Sequence, residues 1–574
     1  MRLILNQYLS SLREREELDA ILPDLLSQMG LIVTSKPSRG TKQHGVDIAA
    51  KKEDSNGNIT TYLFSIKSGD LNRNDWNGSS NQALKPSLDE IINNYYFSKL
   101  SDEQRKGKVT ICLCFGGFIH ESIIGDVNGY IAWNIKENIN FEIWNGDKLS
   151  QLIIDNFLNE ALMPESVRKN LRKSLAMIDD PQSSFIYFQK VITELLKEEK
   201  KRKGATLKNK LITIRQISLC LWILHSWSRD LKNLESAYLS SEFCILTCWS
   251  EIKGLSNSKV CLDIKDVFEK IVDQYFILND EILIDKICPL TNFRDGITLG
   301  VFPPCKYAIN FNTFDLMGKL ATYGIWLIWK CRKSYHEIGE ADEGLINKVR
   351  TLQKSLANLI NNNSTSLLPF KDDNTIDLVM ASYFLMLDSG YTGFVKSWVK
   401  EITNRASYTL NCGRNYPMSL AKYSEFLEDN SSNEYKKEVT KASILYSSLA
   451  FLAALLGDSE TYLSIRKIKN ESLSHCNIQI WFPSVNSEEF YYRGGDIHGV
   501  VLSNVPLEKE ANEFLEIIIK ESDLTQGYDQ LSAIKDNYLP IIFLASRCNR
   551  FPIPIKAFAD EFEEEILSQI SNSK

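Results

Sequence analysis

Three polar side chains between residues 44 and 69 have the chemical types needed to hydrolyse a phosphodiester bond. Asp47 lies in "HGVDIAA" (44–50), and Ser65 and Lys67 lie in "LFSIKSG" (63–69). A carboxylate and a further oxygen ligand hold Mg²⁺, which polarises the phosphate and acidifies a bound water, while a lysine supports the attacking hydroxide. These residues therefore indicate metal-dependent phosphodiester hydrolysis, provided that the fold brings them together.

Both segments read as strands of one antiparallel hairpin, and the length of its loop decides which side chains share a face. A two-residue Asn56-Gly57 turn would place Asp47 opposite Ile66. A five-residue loop, 54–58, places Asp47 opposite Ser65, with Lys67 next on the same face. We predict the five-residue loop, because it gathers one continuous apolar core face, formed by Val46, Ile48, Ala50, Tyr62, Phe64 and Ile66. The polar residues then share the other face, away from the core, with Ala49 and Leu63.

Helix and strand patterns alternate around the hairpin. Apolar residues at helical spacing predict an amphipathic helix over 13–30 that stops at Gly30. An extended piece over 31–34 precedes the hairpin. A helix is then predicted over 81–98, strands over 109–115 and 140–144, and a closing helix over 147–157. The order indicates an α/β domain with a mixed sheet flanked by helices.

Strand signals become sparse after about residue 161, and helical patterns dominate to residue 574. Clear examples are 207–228, 234–252, 314–330 and 440–456. No clean repeat period is present, which leaves a helical solenoid as one alternative. We predict an α/β domain over 1–160 and a large, mainly α-helical sensor or interaction region over 161–574, with two subdomains as an option.

Several motifs in residues 12–157 resemble, in order, those of the PD-(D/E)xK nuclease superfamily, in particular its Mrr-like restriction-endonuclease branch. In that branch a helix ending in LLxxxG precedes GxDI, a hairpin, and a strand ending in Glu or Gln, one residue, then Lys. The matching pieces are "LLSQMGLIV", "HGVDI", "LFSIKSG", "KVTICLCFGG" and "NFEIWNGDKLSQLI". The resemblance implies a restriction-endonuclease-like domain over 1–160 and does not extend to the rest of the chain.

The resemblance also implies roles for individual residues. Asp47 corresponds to a ligand for Mg²⁺ or Mn²⁺ and Lys67 to the catalytic lysine. The helix carboxylate of the family falls on Asp19, with Glu16 one turn earlier as a substitute. Ser65 departs from the family pattern, because it stands where a second acidic or amide ligand is usual and a hydroxyl is a weaker ligand for Mg²⁺.

Charge and composition exclude some partners and compartments. The net charge of the chain is −7, and residues 1–160 hold 17 Lys and Arg against 21 Asp and Glu, or 17 − 21 = −4, which excludes a strongly basic DNA-binding domain. Neither a membrane span nor a signal peptide is evident, so we expect a cytoplasmic protein without a membrane partner. The twelve cysteines show no CxxC spacing and are expected to be free thiols. A basic stretch, "KEEKKRKGATLKNK" (197–210), is either a solvated helix end or a contact for nucleic acid.

Two functions remain open. The first is a Mg²⁺-dependent nuclease, with double-stranded DNA favoured, that acts in prokaryotic restriction or antiphage defence and is gated by the helical region. The chain has no GxxxxGK[ST] loop, so a nucleotide-driven step would need a separate ATPase or sensor subunit. Cutting both strands of a duplex would need two active sites and hence a homodimer. The second is an inactive nuclease-fold scaffold or interaction protein, for which Ser65 would mark the lost site.

Overall fold

The chain divides into two compact units. The structure is a computed structural model that describes residues 5–6, 9–10, 12, 18–35, 44–53, 59–78, 83–156, 164–202, 206–255, 258–301, 305–340, 342–414, 416–420, 422–427, 432–495 and 497–571. The first unit comprises Met1–Cys244 and Ser256–Tyr275, and the second comprises Ile245–Leu255 and Phe276–Lys574. The first unit thus contains the predicted α/β domain together with helices that follow it.

The first unit is built on a five-stranded mixed sheet in which spatial order follows chain order. The antiparallel pairs are β1 with β2 and β2 with β3, whereas β3, β4 and β5 run parallel. The α/β character predicted from the sequence is confirmed. The strands are β1 (Ile32–Ser35), β2 (Ile48–Glu53), β3 (Ile59–Lys67), β4 (Lys108–Phe115) and β5 (Ile139–Trp144).

Helices cover both faces of this sheet. Parallel strands need long crossovers, and helices lie between β3 and β4 and between β4 and β5. The α-helices up to the end of the α/β part are α1 (Asp19–Gln28), α2 (Arg73–Asn77), α3 (Leu84–Glu90), α4 (Asp102–Lys106), α5 (Glu121–Asn134) and α6 (Gly146–Asn156). A π-helical turn, Ile91–Tyr95, continues α3, so the helix predicted over 81–98 is present with an irregular second half.

One face of the sheet packs against α2, α3 and α5. We call this apolar cluster the α3-side core. Its main members are Val46, Ala49, Leu63, Leu71, Trp76, Leu84, Leu88, Val109, Ile111, Leu113, Phe115, Ile123 and Val127. The sequence had assigned the face of Ala49 and Leu63 to the side away from the core. That assignment is wrong, because the crossover helices bury this face as well.

Helices α1 and α6 pack against each other, and α1 also contacts β1 and β2. By the alternation of side chains, Ile48, Phe64 and Ile66 face away from the α3-side core. Phe64 meets Trp144 edge to face with ring centroids 5.0 Å apart. We call this second layer the α1-side core.

Helix α5 was not predicted from the sequence. Its segment, "ESIIGDVNGYIAWN", carries two glycines, and only Ile123 and Val127 are fully buried. Glycine lowers helix propensity by about 1 kcal/mol relative to alanine. The helix forms because the parallel pairing of β4 and β5 requires a crossover that covers the sheet.

Long helices complete the first unit and lead into the second. They are α7 (Glu165–Ala176), α8 (Pro181–Lys201), α9 (Leu207–Asp230), α10 (Glu235–Ile252) and α11 (Lys259–Asn279). The patterns over 207–228 and 234–252 correspond to α9 and α10. Both α10 and α11 contain residues of both units. A π-helical stretch, Asp280–Ile287, continues α11.

The second unit is mainly helical, in agreement with the predicted helical region. Two short ladders also occur, one joining β6 (Ala442–Ser443) to β7 (Asn477–Ile478) and one joining β8 (Ile480–Phe482) to β9 (Val500–Leu502). The main helices are α12 (Lys306–Ile338), α13 (Glu343–Asn362), α14 (Thr375–Met386), α15 (Thr392–Asn411), α16 (Asn433–Val439), α17 (Leu445–Leu455), α18 (Ser459–Glu471), α19 (Ala511–Thr525), α20 (Leu539–Asn549), α21 (Ile555–Glu561) and α22 (Glu563–Ser571).

The helix predicted over 440–456 begins later, at Leu445. Asp372 accepts hydrogen bonds from Ser443 Oγ (2.5 Å) and from the backbone N–H of Ile444 (2.8 Å). Ala442 and Ser443 pair with β7 instead of continuing the helix. The carboxylate of a distant residue therefore determines where α17 starts.

The described part of the chain contains no helix with the length and apolar character needed to cross a bilayer. All twelve cysteines are free thiols, and eight of them are buried.

Candidate active site

The β2–β3 hairpin has the register predicted from the five-residue loop. Its pairs run from Glu53 opposite Ile59 to Ile48 opposite Phe64. The loop itself, 54–58, lies outside the described residues. The predicted register is therefore confirmed along the whole paired length of β2.

The regular one-to-one pairing of β2 with β3 is interrupted just before Ile48. Ile48 pairs with Phe64, and the N–H of Asp47 also donates to the Phe64 carbonyl, at 2.8 Å. Two residues of one strand thus stand opposite one residue of its partner, which is the arrangement of a β-bulge. Consistent with this shift, Val46 belongs to the α3-side core rather than to the face of Ile48.

The bulge directs the carboxylate of Asp47 to the backbone of β3. Its Oδ2 accepts a hydrogen bond from Ile66 N–H at 2.7 Å. Burial, followed by the negative charge of Asp47, raises the pKa of the Cys114 thiol. Because Cys114 pairs with Ile66 across the parallel ladder, the carboxylate lies on the side of the α1-side core. The prediction that Asp47 stands opposite Ser65 is wrong, because the bulge shifts Asp47 by one position.

Ser65 lies on the other side of the sheet. It pairs with Leu113 of the α3-side core, and its side chain is 1% exposed. Among the described residues its Oγ finds no hydrogen-bond partner. Thr61, four residues earlier on the same strand face, is buried in the same way and its Oγ1 is also without a partner there. Ser65 and Asp47 are thus close along the hairpin but turned to opposite layers.

Lys67 is the last residue of β3 and is half-buried. Ladder pairing places it beside Phe115 of the α3-side core, so its side chain leaves the strand on the face of Ser65. The prediction that Lys67 shares a face with Asp47 is therefore wrong, for the same reason as for Ser65. Asp19 begins α1, which contacts β2. Glu16 lies outside the described residues. Asp19, Asp47 and Lys67 all have polar or electrostatic partners.

The carboxyl ends of the three parallel strands meet next to Lys67. Gly117 N–H donates to the Gly69 carbonyl at 2.9 Å, and Gly146 N–H donates to the Gly117 carbonyl at 2.9 Å. Asp70, three residues after Lys67, accepts from Phe118 N–H at 2.8 Å. A Cβ atom on Gly117 would lie 2.0 Å from Asp70 Oδ1, so glycine is needed for this close approach. In the sequence, the signal for this meeting of strand ends was a glycine shortly after each of β3, β4 and β5, namely Gly69, Gly117 and Gly146.

A second glycine fixes the chain where it enters β2. Gly45 has a φ of +79°, and a Cβ atom there would lie 2.1 Å from the Ser87 carbonyl oxygen of α3. His44 precedes it with a φ of 49°. The bulge at Asp47 therefore follows a tightly constrained turn that docks on α3.

Metal-binding side chains are sparse. Within the described ranges, no group of three or more His, Cys, Asp or Glu side chains is arranged to hold a metal ion. Mg²⁺ is commonly held by one or two carboxylates together with water. Asp47 and Asp19 could supply such a set, from the bulge and from the helix that covers the same face.

In the described part of the basic stretch, 197–202 and 206–210, three lysines form ion pairs with acidic residues: Lys197, Lys201 and Lys210. Lys201 lies 2.6 Å from Glu198, and Lys210 lies 3.8 Å from Glu199. These contacts favour the solvated helix end over the nucleic-acid contact.

The second unit contains a cavity of about 440 Å³ between α12 and the start of α20. Trp329 and Tyr538 pack against each other with centroids 5.0 Å apart, and Lys333 lies over the Trp329 ring. Arg332 forms a two-pronged ion pair with Glu561. The rings of this cavity thus pack against each other and against Lys333, whereas Arg332 is paired with a carboxylate outside the cavity lining.

Comparison with known proteins gives no relative: no family model, no curated protein and no solved structure matches the chain.

Proposed function

We propose that this protein is a Mg²⁺- or Mn²⁺-dependent nuclease, with DNA as the favoured substrate, whose active site lies at the bulge of β2 and the end of β3. The observation that carries the proposal is the hydrogen bond from Ile66 N–H to Asp47. It holds a carboxylate against the backbone at the end of β3, one residue before Lys67, on the face covered by the helix of Asp19. The motif order that resembles Mrr-like nucleases supports the same assignment.

In this proposal Asp47 and Asp19 hold the metal ion. The ion would polarise the phosphate and acidify an attacking water. Lys67 leaves β3 on the opposite face, and its flexible four-carbon stem would carry the ammonium group around the end of the strand to support the developing charge. Ser65 takes no part as a ligand, because its hydroxyl is buried in the α3-side core; the helix carboxylate replaces the acidic residue that the family pattern has at this position.

The helical region would then gate the nuclease in a restriction or antiphage system. Cleavage of both strands of a duplex would require a homodimer, and any nucleotide-driven step a separate ATPase or sensor subunit. The net charge of −4 over residues 1–160 favours recruitment by such a partner over tight nonspecific binding of DNA.

The test is cleavage of plasmid DNA, single-stranded DNA and RNA with Mg²⁺ or Mn²⁺. Asp47→Asn retains an acceptor for Ile66 N–H, and Lys67→Met retains the apolar stem. Each should lower metal-dependent cleavage by about 100-fold or more. Lys52→Met is the matched control, since Lys52 is an exposed lysine of the same hairpin, and it should cleave like the wild type.

Equal cleavage by all three variants would place the activity elsewhere. If the wild type cleaves no substrate, calorimetry with Mg²⁺ decides the matter. Absence of Mg²⁺ binding would then favour the inactive scaffold, for which the serine at position 65 is the supporting observation.

A further inference from the structure

Helix α1 is held by cations from two helices that follow the α/β part. Lys270 Nζ of α11 lies 2.8 Å from Asp24 Oδ2, and Arg215 Nη1 of α9 donates to Gln28 Oε1 at 3.3 Å. The side chains of Asp24, Arg215 and Lys270 are 17%, 9% and 21% exposed. Such limited exposure strengthens these contacts relative to those on an open surface.

Arg215 is not fully satisfied in this arrangement. Its Nε is buried and has no hydrogen-bond partner among the described residues. The Asp24 carboxylate lies 3.9 Å from this Nε, just beyond hydrogen-bond distance. Asp24 therefore has two cationic partners on different helices and fully engages only Lys270. A small shift of α1 toward α9 would bring Asp24 within hydrogen-bond distance of Arg215 Nε.

The same helix carries the candidate metal ligand Asp19. Asp19 and Asp24 are five residues apart, which corresponds to about 7.5 Å along a helix. Pro23 lies between them and has no N–H to donate to the Asp19 carbonyl. The turn that bears Asp19 therefore lacks one helical hydrogen bond, and its position depends more strongly on what holds the rest of α1.

The chain path links these cations to the second unit. The chain crosses between the units at 244/245, 255/256 and 275/276. Lys270 lies on α11, the helix through which the last crossing passes. A change in α11 would thus act directly on the partner of Asp24.

We propose that Asp24 couples the helical region to the active site. The cluster of Asp24, Arg215 and Lys270 sets the position of α1, and movement of α9 or α11 shifts Asp19 toward or away from Asp47. This regulation rests on the proposed nuclease function, whereas the coupling of α1 to α9 and α11 does not.

The test uses the full chain and two readouts. Hydrogen exchange followed by mass spectrometry reports on Asp19–Gln28, and metal-dependent cleavage reports on the site. In Asp24→Asn and in Lys270→Met, the amides of α1 should exchange about tenfold faster. The effect of the double variant should be smaller than the sum of the two single effects, because both changes break the Asp24–Lys270 ion pair.

Controls separate local from global effects. Lys210→Met breaks a pair of similar exposure between α9 and α8, and α1 exchange should stay at the wild-type rate. Peptides from β3 and β4 report whether a variant has unfolded. If a variant has unfolded, Arg215→Lys is measured in its place, because this change keeps the positive charge but shortens the reach of the side chain toward Gln28.

Each result has a distinct meaning. Faster α1 exchange together with altered cleavage supports the proposal. Unchanged α1 exchange in both variants overturns it whatever the cleavage, and faster exchange with wild-type cleavage overturns the link to Asp19. If the wild type cleaves nothing, Mg²⁺ calorimetry decides the nuclease proposal, and the exchange data alone decide whether Asp24 holds α1.

Discussion

At the scale of single residues, the hydrogen bond between Ile66 and Asp47 determines the candidate site. A carboxylate takes the place that a backbone carbonyl would occupy in a regular ladder. The bulge turns Asp47 toward α1 and leaves Ser65 in the opposite layer. One hydrogen bond thus separates two residues that an unbroken ladder would have placed side by side.

This bond predicts different stabilities for two variants of Asp47. Asp47→Ala leaves the N–H of Ile66 without its acceptor and should lower the free energy of unfolding by about 1–3 kcal/mol. Asp47→Asn keeps an oxygen acceptor and should cost less. Urea unfolding of both variants checks this, and equal destabilisation would mean that the bond contributes little.

Ser65 and Thr61 provide a matched pair of buried hydroxyls. Removing a buried hydroxyl that lacks a partner should not destabilise the fold, so Ser65→Ala and Thr61→Val should be neutral or stabilising by up to about 1 kcal/mol. Under the proposed function neither should alter cleavage. Loss of cleavage in Ser65→Ala, with Thr61→Val unaffected, would show that Ser65 belongs to the site.

At the scale of elements, turns and helix starts are set by contacts between distant segments. Gly45 docks the entry of β2 on α3, and Asp372 fixes the start of α17. Each of these two contacts predicts an effect on stability that the secondary-structure propensity of the segment alone would not give.

Gly45→Ala should destabilise the first unit much more than Gly30→Ala. Both glycines have positive φ, +79° and +83°, but only at Gly45 would a Cβ atom meet backbone, at 2.1 Å, while Gly30 faces open space. We expect a loss of about 1–2 kcal/mol for Gly30→Ala from backbone strain alone and roughly 3 kcal/mol or more for Gly45→Ala. Thermal unfolding of the two variants measures the difference; similar melting temperatures would contradict the docking argument.

Asp372 should make the stability depend on pH. Burial, partly offset by hydrogen bonds from Ser443, Ile444 and Leu445, raises its pKa to about 6 from 3.8. The folded state therefore binds the proton more tightly than the unfolded state. Its contribution is fully present below about pH 4 and is lost as the pH rises through 6, a change on the order of 3 kcal/mol.

Asp372→Asn isolates this effect because it removes the titration. Relative to the wild type, the variant should gain stability as the pH rises from 4 to 7, whatever its stability at pH 4. Urea unfolding at four pH values measures the difference. Parallel profiles for the two proteins would show that Asp372 does not titrate in this window.

At the scale of the whole molecule, the compact unit that contains the sheet extends beyond residue 160 to Tyr275. The ion pair of Asp24 and the hydrogen bond of Gln28 both reach helices beyond that point. The α/β part therefore shares its stability with α9 and α11.

This organisation predicts different behaviour for two fragments. Residues 1–275 should unfold cooperatively. Residues 1–160 should be less stable by about 2–3 kcal/mol or more, because they lack the partners of α1 and leave its buried surface exposed. Circular dichroism melts compare the two, and equal stability would make α9 and α11 dispensable for the sheet.

The sequence by itself determined the class of fold, the hairpin register and the helical character of the region after residue 161. These follow from local patterns, because side-chain parity and one continuous apolar face leave a single favourable pairing of β2 with β3. Tertiary structure decided the direction of Asp47, the covering of both sheet faces, the presence of α5 and the attachment of α1 to α9 and α11. Each of these depends on a hydrogen bond, an ion pair or a packing contact between residues far apart in the chain, which no local periodicity encodes.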